Sequence, residues 1–185
     1  MIDDILLETE DKMDKAVQFL HHELSGLRTG KANPALVENI TVDYYGTPTR
    51  LRDIANISTP EPRLIVINPF DPSSLGVIEK AITAANIGIT PMNDGRLIRV
   101  PIPELSEERR KDMVKMAGRI TEEQRVSVRN IRRDANDQIK SLQKNGDITE
   151  DDRDTSLDEV QKSTDEHIKK MDAMLAAKEK DIMEV

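Results

Sequence analysis

All nine prolines of this 185-residue chain fall between Pro34 and Pro103. A proline inside a helix removes a hydrogen bond and clashes with the preceding turn, at a cost of ~3 kcal/mol. The proline-free stretches 1–33 and 104–185 are therefore free to be continuous helix, and the middle is not. Over 3–28, Met13, Ala16, Val17, Leu20, Leu24 and Leu27 recur at spacings of three and four and form one apolar stripe. Asp3 and Asp4 suit the positive end of that helix, and Gly30 is placed to stop it. A second helix is predicted over 106–144. Ser106 caps it, Glu107 and Glu108 fill its first turn, and Val114, Ala117, Val128, Ile131, Ala135 and Leu142 mark its buried side. Asn145-Gly146 ends it. Thr149, with Asp152 three residues on, resembles a capping box and opens a third helix. Leu157, Val160, Thr164, Ile168, Met171, Leu175 and Ile182 then keep a near-heptad repeat. At ~1.5 Å per residue the second helix is roughly 60 Å long. The short turn at 145–148 makes the last two helices antiparallel neighbours, and the first completes a three-helix bundle.

The middle has β character. Val37 to Tyr45, Ile54 to Ser58, Leu64 to Asn68 and Leu97 to Val100 are short β-prone runs. Turn signals separate them, among them Gly46-Thr47-Pro48, Asp71-Pro72 and Asn93-Asp94-Gly95. Residues 73–86 are predicted to form one short helix. The expected fold class is α+β: a long antiparallel three-helix bundle from 1–30 and 104–185, with a small α/β domain, residues 31–103, inserted between its first two helices. The chain crosses that boundary twice, at Thr29, Gly30 and Lys31 and again near Pro103 and Glu104. Such a two-strand join fits a hinge and fits a fixed elbow equally well.

Charged residues make up 34% of the chain and aromatics 2%, which favours long solvated helices over a thick sandwich core. The absence of cysteine excludes disulfides, a thiolate metal site and a cysteine nucleophile. No apolar run approaches the ~20 residues that cross a bilayer, and the acidic opening Met1-Ile2-Asp3-Asp4 is the wrong sign for a signal peptide. A cytoplasmic protein with no membrane partner is expected. The net charge of −8 argues against nucleic acid until its distribution is considered. Residues 105–144 carry 11 basic and 7 acidic side chains, whereas 1–104 carry 10 and 15, and 145–185 carry 6 and 13. The basic segment holds Arg125, Arg129, Arg132 and Arg133, with no acidic residue between 125 and 133. Positions 125, 129 and 132 share a helical face. Like charges one turn apart destabilise a helix by a few tenths of a kcal/mol, so an uncompensated row asks for a partner. RNA phosphate is one, since the guanidinium fork binds it bidentately. The acidic third helix is another, through Asp151, Asp152, Asp154, Asp158 and Glu159. Composition leaves both readings open.

Other candidates carry less. His21, His22 and His167 are too scattered for a metal site and are expected on the surface. Asp151-Asp152-Arg153-Asp154 can attract a cation, but carboxylates in a first helical turn are explained by the helix dipole. Met113, Met116, Met171 and Met174, at helical spacing, read as core filler. Tyr44-Tyr45 can stack on a base, though a strand end packing its own sheet explains it as well. There is no Gly-x-x-x-x-Gly-Lys loop, no Gly-x-Gly-x-x-Gly and no Gly-x-Ser-x-Gly elbow, so no enzyme activity, metal or cofactor is expected. Two functions compete: an RNA-binding factor and a coiled-coil adaptor or holdase. An adaptor has no need of an acid-free arginine row beside an acidic helix.

Five motifs then converge. Leu27-Arg28-Thr29-Gly30-Lys31-Ala32-Asn33-Pro34, Tyr44-Tyr45-Gly46-Thr47-Pro48 and Ile98-Arg99-Val100-Pro101-Ile102-Pro103 come first in the chain. Glu108-Arg109-Arg110-Lys111 and Val128-Arg129-Asn130-Ile131-Arg132-Arg133-Asp134-Ala135 follow. In this order, over essentially the whole chain, they resemble the ribosome recycling factor family. The resemblance implies a three-helix bundle with an inserted α/β domain, arranged as an L, in a protein that works as a monomer. It implies splitting of the ribosome after termination, with elongation factor G and GTP hydrolysis by that partner, and release from mRNA. It also implies that the bundle lies on the large subunit, with Arg28, Arg110, Arg129, Arg132 and Arg133 facing ribosomal RNA. The chain departs from the family pattern at Lys31, where the family often has arginine; lysine keeps the charge and loses the bidentate fork.

Overall fold

The computed structural model describes residues 1–184. It divides into two compact units, one of Met1–Leu24 with Val114–Asp181, the other of Ser25–Met113 with the chain end from Ile182. The first is a three-helix bundle built from most of α1 (Ile2–Ser25), α4 (Glu107–Lys144) and α5 (Glu150–Met183), the start of α4 falling in the second unit. The ends of these helices follow local chemistry. Ser106 Oγ accepts from the Arg109 amide at 3.2 Å, the expected N-cap of α4. Gly146, at φ +83, lets the α4 terminus close: its amide donates to Gln143 O at 3.0 Å, and the Asp147 amide to Leu142 O at 2.9 Å. Thr149 and Asp152 cap each other's amides at 3.2 and 3.1 Å, which is the predicted capping box and uses one of the three acids in the first turn of α5.

Three helices share one apolar seam. Ile5 and Leu6 of α1 pack on Ala135 and Ile139 of α4 and on Leu157 and Val160 of α5. Met13 and Asp14 reach Ser163 and His167 farther along. Helix α1 therefore runs parallel to α5 and antiparallel to α4. The polar residues buried in this seam, Thr9, Thr121, Ser156 and Thr164, each donate to the carbonyl four residues back, so none is left unsatisfied. His167 corrects the sequence expectation. It is 2% exposed and belongs to the core. It sits one turn from both Thr164 and Met171, so it falls on the same buried stripe. Nδ1 donates to Ser163 O at 2.6 Å and Nε2 faces Asp14 Oδ1 at 2.7 Å, which satisfies both ring nitrogens.

In the second unit a hairpin joins β1 (Thr41–Tyr44) to β2 (Thr47–Arg50). Its two-residue loop, Tyr45-Gly46, has φ of +50 and +81, the twist that suits a tight hairpin. A single turn, α2 (Leu51–Ile54), leads into β3 (Ala55–Glu61) and β4 (Leu64–Pro69). Then come α3 (Leu75–Ala84), β5 (Met92–Asn93) and β6 (Ile98–Pro101). The antiparallel sheet has the order β3-β4-β6-β5. Alternate residues Ile65, Ile67, Ile98 and Val100 bury their side chains against Ile78 and Ile82 of α3, as period-2 strands on a period-3.6 helix require. No helix among the described residues is long and apolar enough to cross a membrane.

Strand β6 is entered through a turn built on Asp94. Its Oδ1 accepts from the Leu97 amide at 2.8 Å and the Arg96 amide at 3.0 Å, and Arg99 pairs with the other oxygen. These bonds, the Leu97 and Arg96 amides first and Arg99 next, hold the carboxyl down to about 2. An unfolded aspartate titrates near ~3.9. The folded value is the lower one, so the turn's stabilisation is complete above about pH 4 and is lost as pH falls toward about 2. Amide NMR shifts of Arg96 and Leu97 should follow that titration, and Asp94→Asn should abolish it.

Candidate nucleic-acid interface

The α4 arginines have unequal surroundings. Rows of residues three and four apart place Thr121, Arg125, Val128, Arg132 and Ala135 along one line, alternating buried and half-buried. Arg125 and Arg132 thus flank the bundle core, and their stems lie along its edge. The head of Arg125 is committed. Nε and Nη2 donate to Asp172 Oδ1 at 2.9 and 2.5 Å, and Nη1 donates to Glu122 at 3.1 Å. Its side chain is 20% exposed. Arg129, 40% exposed, donates only Nη1, to the other oxygen of Glu122 at 3.1 Å. Hydrogen bonds from Arg125 and then Arg129 hold the Glu122 carboxyl below the usual carboxylate range. Arg133 reaches Asn130 Oδ1 at 3.5 Å, at the limit of a hydrogen bond. Arg132 makes no hydrogen bond or ion pair among the described residues.

The two readings of the arginine row therefore divide it. Arg125 pairs with the acidic helix, but with Asp172 rather than with the acids at its start. In an antiparallel pair joined at 145–149, residue 125 lies opposite the second half of α5. Arg129, Arg132 and Arg133 present guanidinium donors that are not fully occupied among the described residues, in the geometry that takes phosphate oxygens.

Comparison with known proteins bears on what such a row serves. A model of the family "Ribosome recycling factor" matches residues 20–183. The ribosome-recycling factor of Geobacillus kaustophilus is 52% identical over 185 residues, all of both chains. That of Bacillus subtilis is 50% identical over the same length. The chain belongs to the ribosome recycling factor family. A solution structure of the ribosome recycling factor superimposes with a TM-score of 0.82 at 42% identity, over all of this chain and 98% of that one. A second similar structure, at TM-score 0.71 and 42% identity over all of both chains, belongs to models of the T. thermophilus ribosome recycling factor and the E. coli elongation factor G bound to the E. coli post-termination complex.

For a recycling-factor chain, the remaining sequence candidates lie in the second unit. Arg28 follows the end of α1, which stops at Ser25 rather than at 28. Its Nε is buried without a hydrogen-bond partner among the described residues. Its guanidinium rests on Gly88, where an added Cβ would lie 2.7 Å from Nη1. Arg110, in the first turn of α4, also has a buried, unpartnered Nε. It lines a cleft of about 230 Å³ with Thr29, Gly30, Lys31, Pro62, Arg63, Glu104 and Glu184. The join residues Thr29, Gly30, Lys31, Pro103 and Glu104 all fall inside this unit. Ala32 and Ile102, next to them, are tied to it by amide bonds to Pro62 O at 2.6 Å and Arg63 O at 2.8 Å. Gly30 has φ +79, a conformation that disfavours any side chain there. Lys31 pairs with Glu184 at 2.6 Å and Glu104 with Arg63 at 3.5 Å.

Sequence reasoning missed Glu122 and Asp172. Glu122, three residues before Arg125 and seven before Arg129, was legible from helical spacing. Asp172 needs the register of α4 on α5. Tyr44 packs on the α/β core, whereas Tyr45 is 77% exposed and bonds Asp71 through its hydroxyl at 2.6 Å.

Proposed function

We propose that this chain binds the post-termination ribosome and, with elongation factor G and GTP hydrolysed by that partner, promotes its dissociation into subunits and release from mRNA. It contacts large-subunit ribosomal RNA through Arg129, Arg132 and Arg133 on α4 and through Arg28 and Arg110. It works as a cytoplasmic monomer and catalyses no reaction. The observation that carries the RNA contact is Arg132: the residue is half-buried along the bundle edge, while its guanidinium has no hydrogen bond or ion pair among the described residues. A guanidinium held this way loses little further freedom on meeting a phosphate. The similar structure described together with elongation factor G and the post-termination complex supports the choice of partners. The lack of nucleotide-binding and nucleophile motifs supports a non-enzymatic role, with the GTPase in the partner. Thr29, Gly30, Lys31, Pro103 and Glu104 are read as the pivot of the α/β domain.

Co-sedimentation with purified ribosomal subunits tests this reading. The protein should pellet with large subunits, and it should be released as salt rises, since each phosphate contact releases counterions. Absence from the large-subunit pellet at low salt, or equal pelleting with small subunits, would overturn it.

A further inference from the structure

Glu122 stands between the committed arginine and the open one. One oxygen accepts from Arg125 Nη1 and the other from Arg129 Nη1, each at 3.1 Å. Arg125 remains held by Asp172 whether or not Glu122 is present. Arg129 has no second partner among the described residues. A carboxylate and a phosphate are both anionic oxygen acceptors for the same guanidinium donors, so they compete for them. We propose that Glu122 is a built-in competitor for the RNA phosphate at Arg129, which holds the affinity of this face for ribosomal RNA below what the arginine alone would give. This rests on the reading of Arg129 as an RNA contact.

The magnitude follows from exposure. Arg129 is 40% exposed and Glu122 53%, and ion pairs that open to water are weak. Giving up such a pair for a phosphate lowers affinity by about two- to fivefold. That is enough to tune residence without abolishing binding, and changes of this kind in an interface act mostly on the dissociation rate. A recycling factor has to leave the subunit once splitting is complete, so a moderate off-rate is useful to it. Glu123, the next residue, provides the control. It carries the same charge on the same helix, and makes no hydrogen bond or ion pair among the described residues.

The experiment uses the full chain and purified large ribosomal subunits. Affinity is measured at several salt concentrations for the wild type, Glu122→Gln, Glu123→Gln, Arg129→Ala and the Glu122→Gln, Arg129→Ala double variant. Glutamine matches glutamate in helix propensity, so folding is preserved. Melting temperatures check that. Glu122→Gln should bind about two- to fivefold tighter, with a steeper salt dependence. Glu123→Gln should gain less. In the Arg129→Ala background, Glu122→Gln should give no gain. An equal gain in that background would show a general charge effect and overturn the proposal. Weaker or unchanged binding by Glu122→Gln, while Arg129→Ala still loses affinity, would overturn it and leave the RNA site standing. Wild-type affinity in Arg129→Ala would instead remove Arg129 from the RNA site, and this proposal with it.

Discussion

Arg132→Ala is expected to weaken binding to large ribosomal subunits about tenfold to hundredfold and to shift the melting temperature by no more than a few degrees. A charge-assisted hydrogen bond to phosphate is worth roughly 1.5–3 kcal/mol, which sets the fold-change. The folded chain loses no hydrogen bond or ion pair, because the Arg132 head has none among the described residues. Its stem is half-buried, so truncation removes some packing along the bundle edge. Arg132→Lys separates the two contributions. It restores stem and charge but lacks the fork, and should bind with intermediate affinity at wild-type stability. The salt dependence of Arg132→Ala should be shallower by about one phosphate contact. Arg125→Ala should show the opposite signature. Its head is bonded to Asp172 and Glu122, so the melting temperature falls while ribosome affinity changes little. Unchanged affinity in Arg132→Ala, measured by subunit co-sedimentation, would mean that the free guanidinium is an ordinary surface charge.

Ile98→Ala should produce the largest loss of stability. Ile98 is fully buried on β6, pairs with Ile67 across the sheet, and belongs to the core under α3. Large-to-small changes at such sites cost about 2–5 kcal/mol, the removed methyl groups and the residual cavity both contributing. At about 4–8 °C per kcal/mol for a domain of 60–100 residues, the α/β unit should melt at least ~8 °C earlier. Hydrogen exchange should accelerate through β3, β4, α3 and β6, and remain slow at Ile139 and Val160 in the bundle seam. A uniform loss of protection over both units would show that they do not unfold independently.

The long helices were legible because their determinants are local. Proline placement, the Ser106 and Thr149 caps and the Gly146 stop each act within a few residues, and each has its expected partner in the structure. The α/β domain was read less completely. The hairpin partner Thr47–Arg50 holds a proline and two threonines and no apolar alternation, and the two-residue strand Met92–Asn93 exists only because Met92 and Asn93 pair with Arg99 and Ile98. Neither leaves a mark in a window of sequence. The arginine row was visible, but its division into a fully committed Arg125, an Arg129 held by Glu122 alone, and Arg132 and Arg133 was not. That division depends on the antiparallel register that brings Asp172 to Arg125, a long-range fact. His167 was misplaced for a related reason. A histidine reads as polar until Asp14, more than 150 positions away, meets its ring.

Splitting of the post-termination ribosome is expected only when this chain and its partner act together. Light scattering of purified post-termination ribosomes measures it directly. Addition of the protein with elongation factor G and GTP should lower the scattering as subunits separate, while the protein alone, or with elongation factor G and a non-hydrolysable GTP analogue, should leave it unchanged. Splitting by the protein alone, or no splitting with the complete mixture, would contradict a partner-driven mechanism.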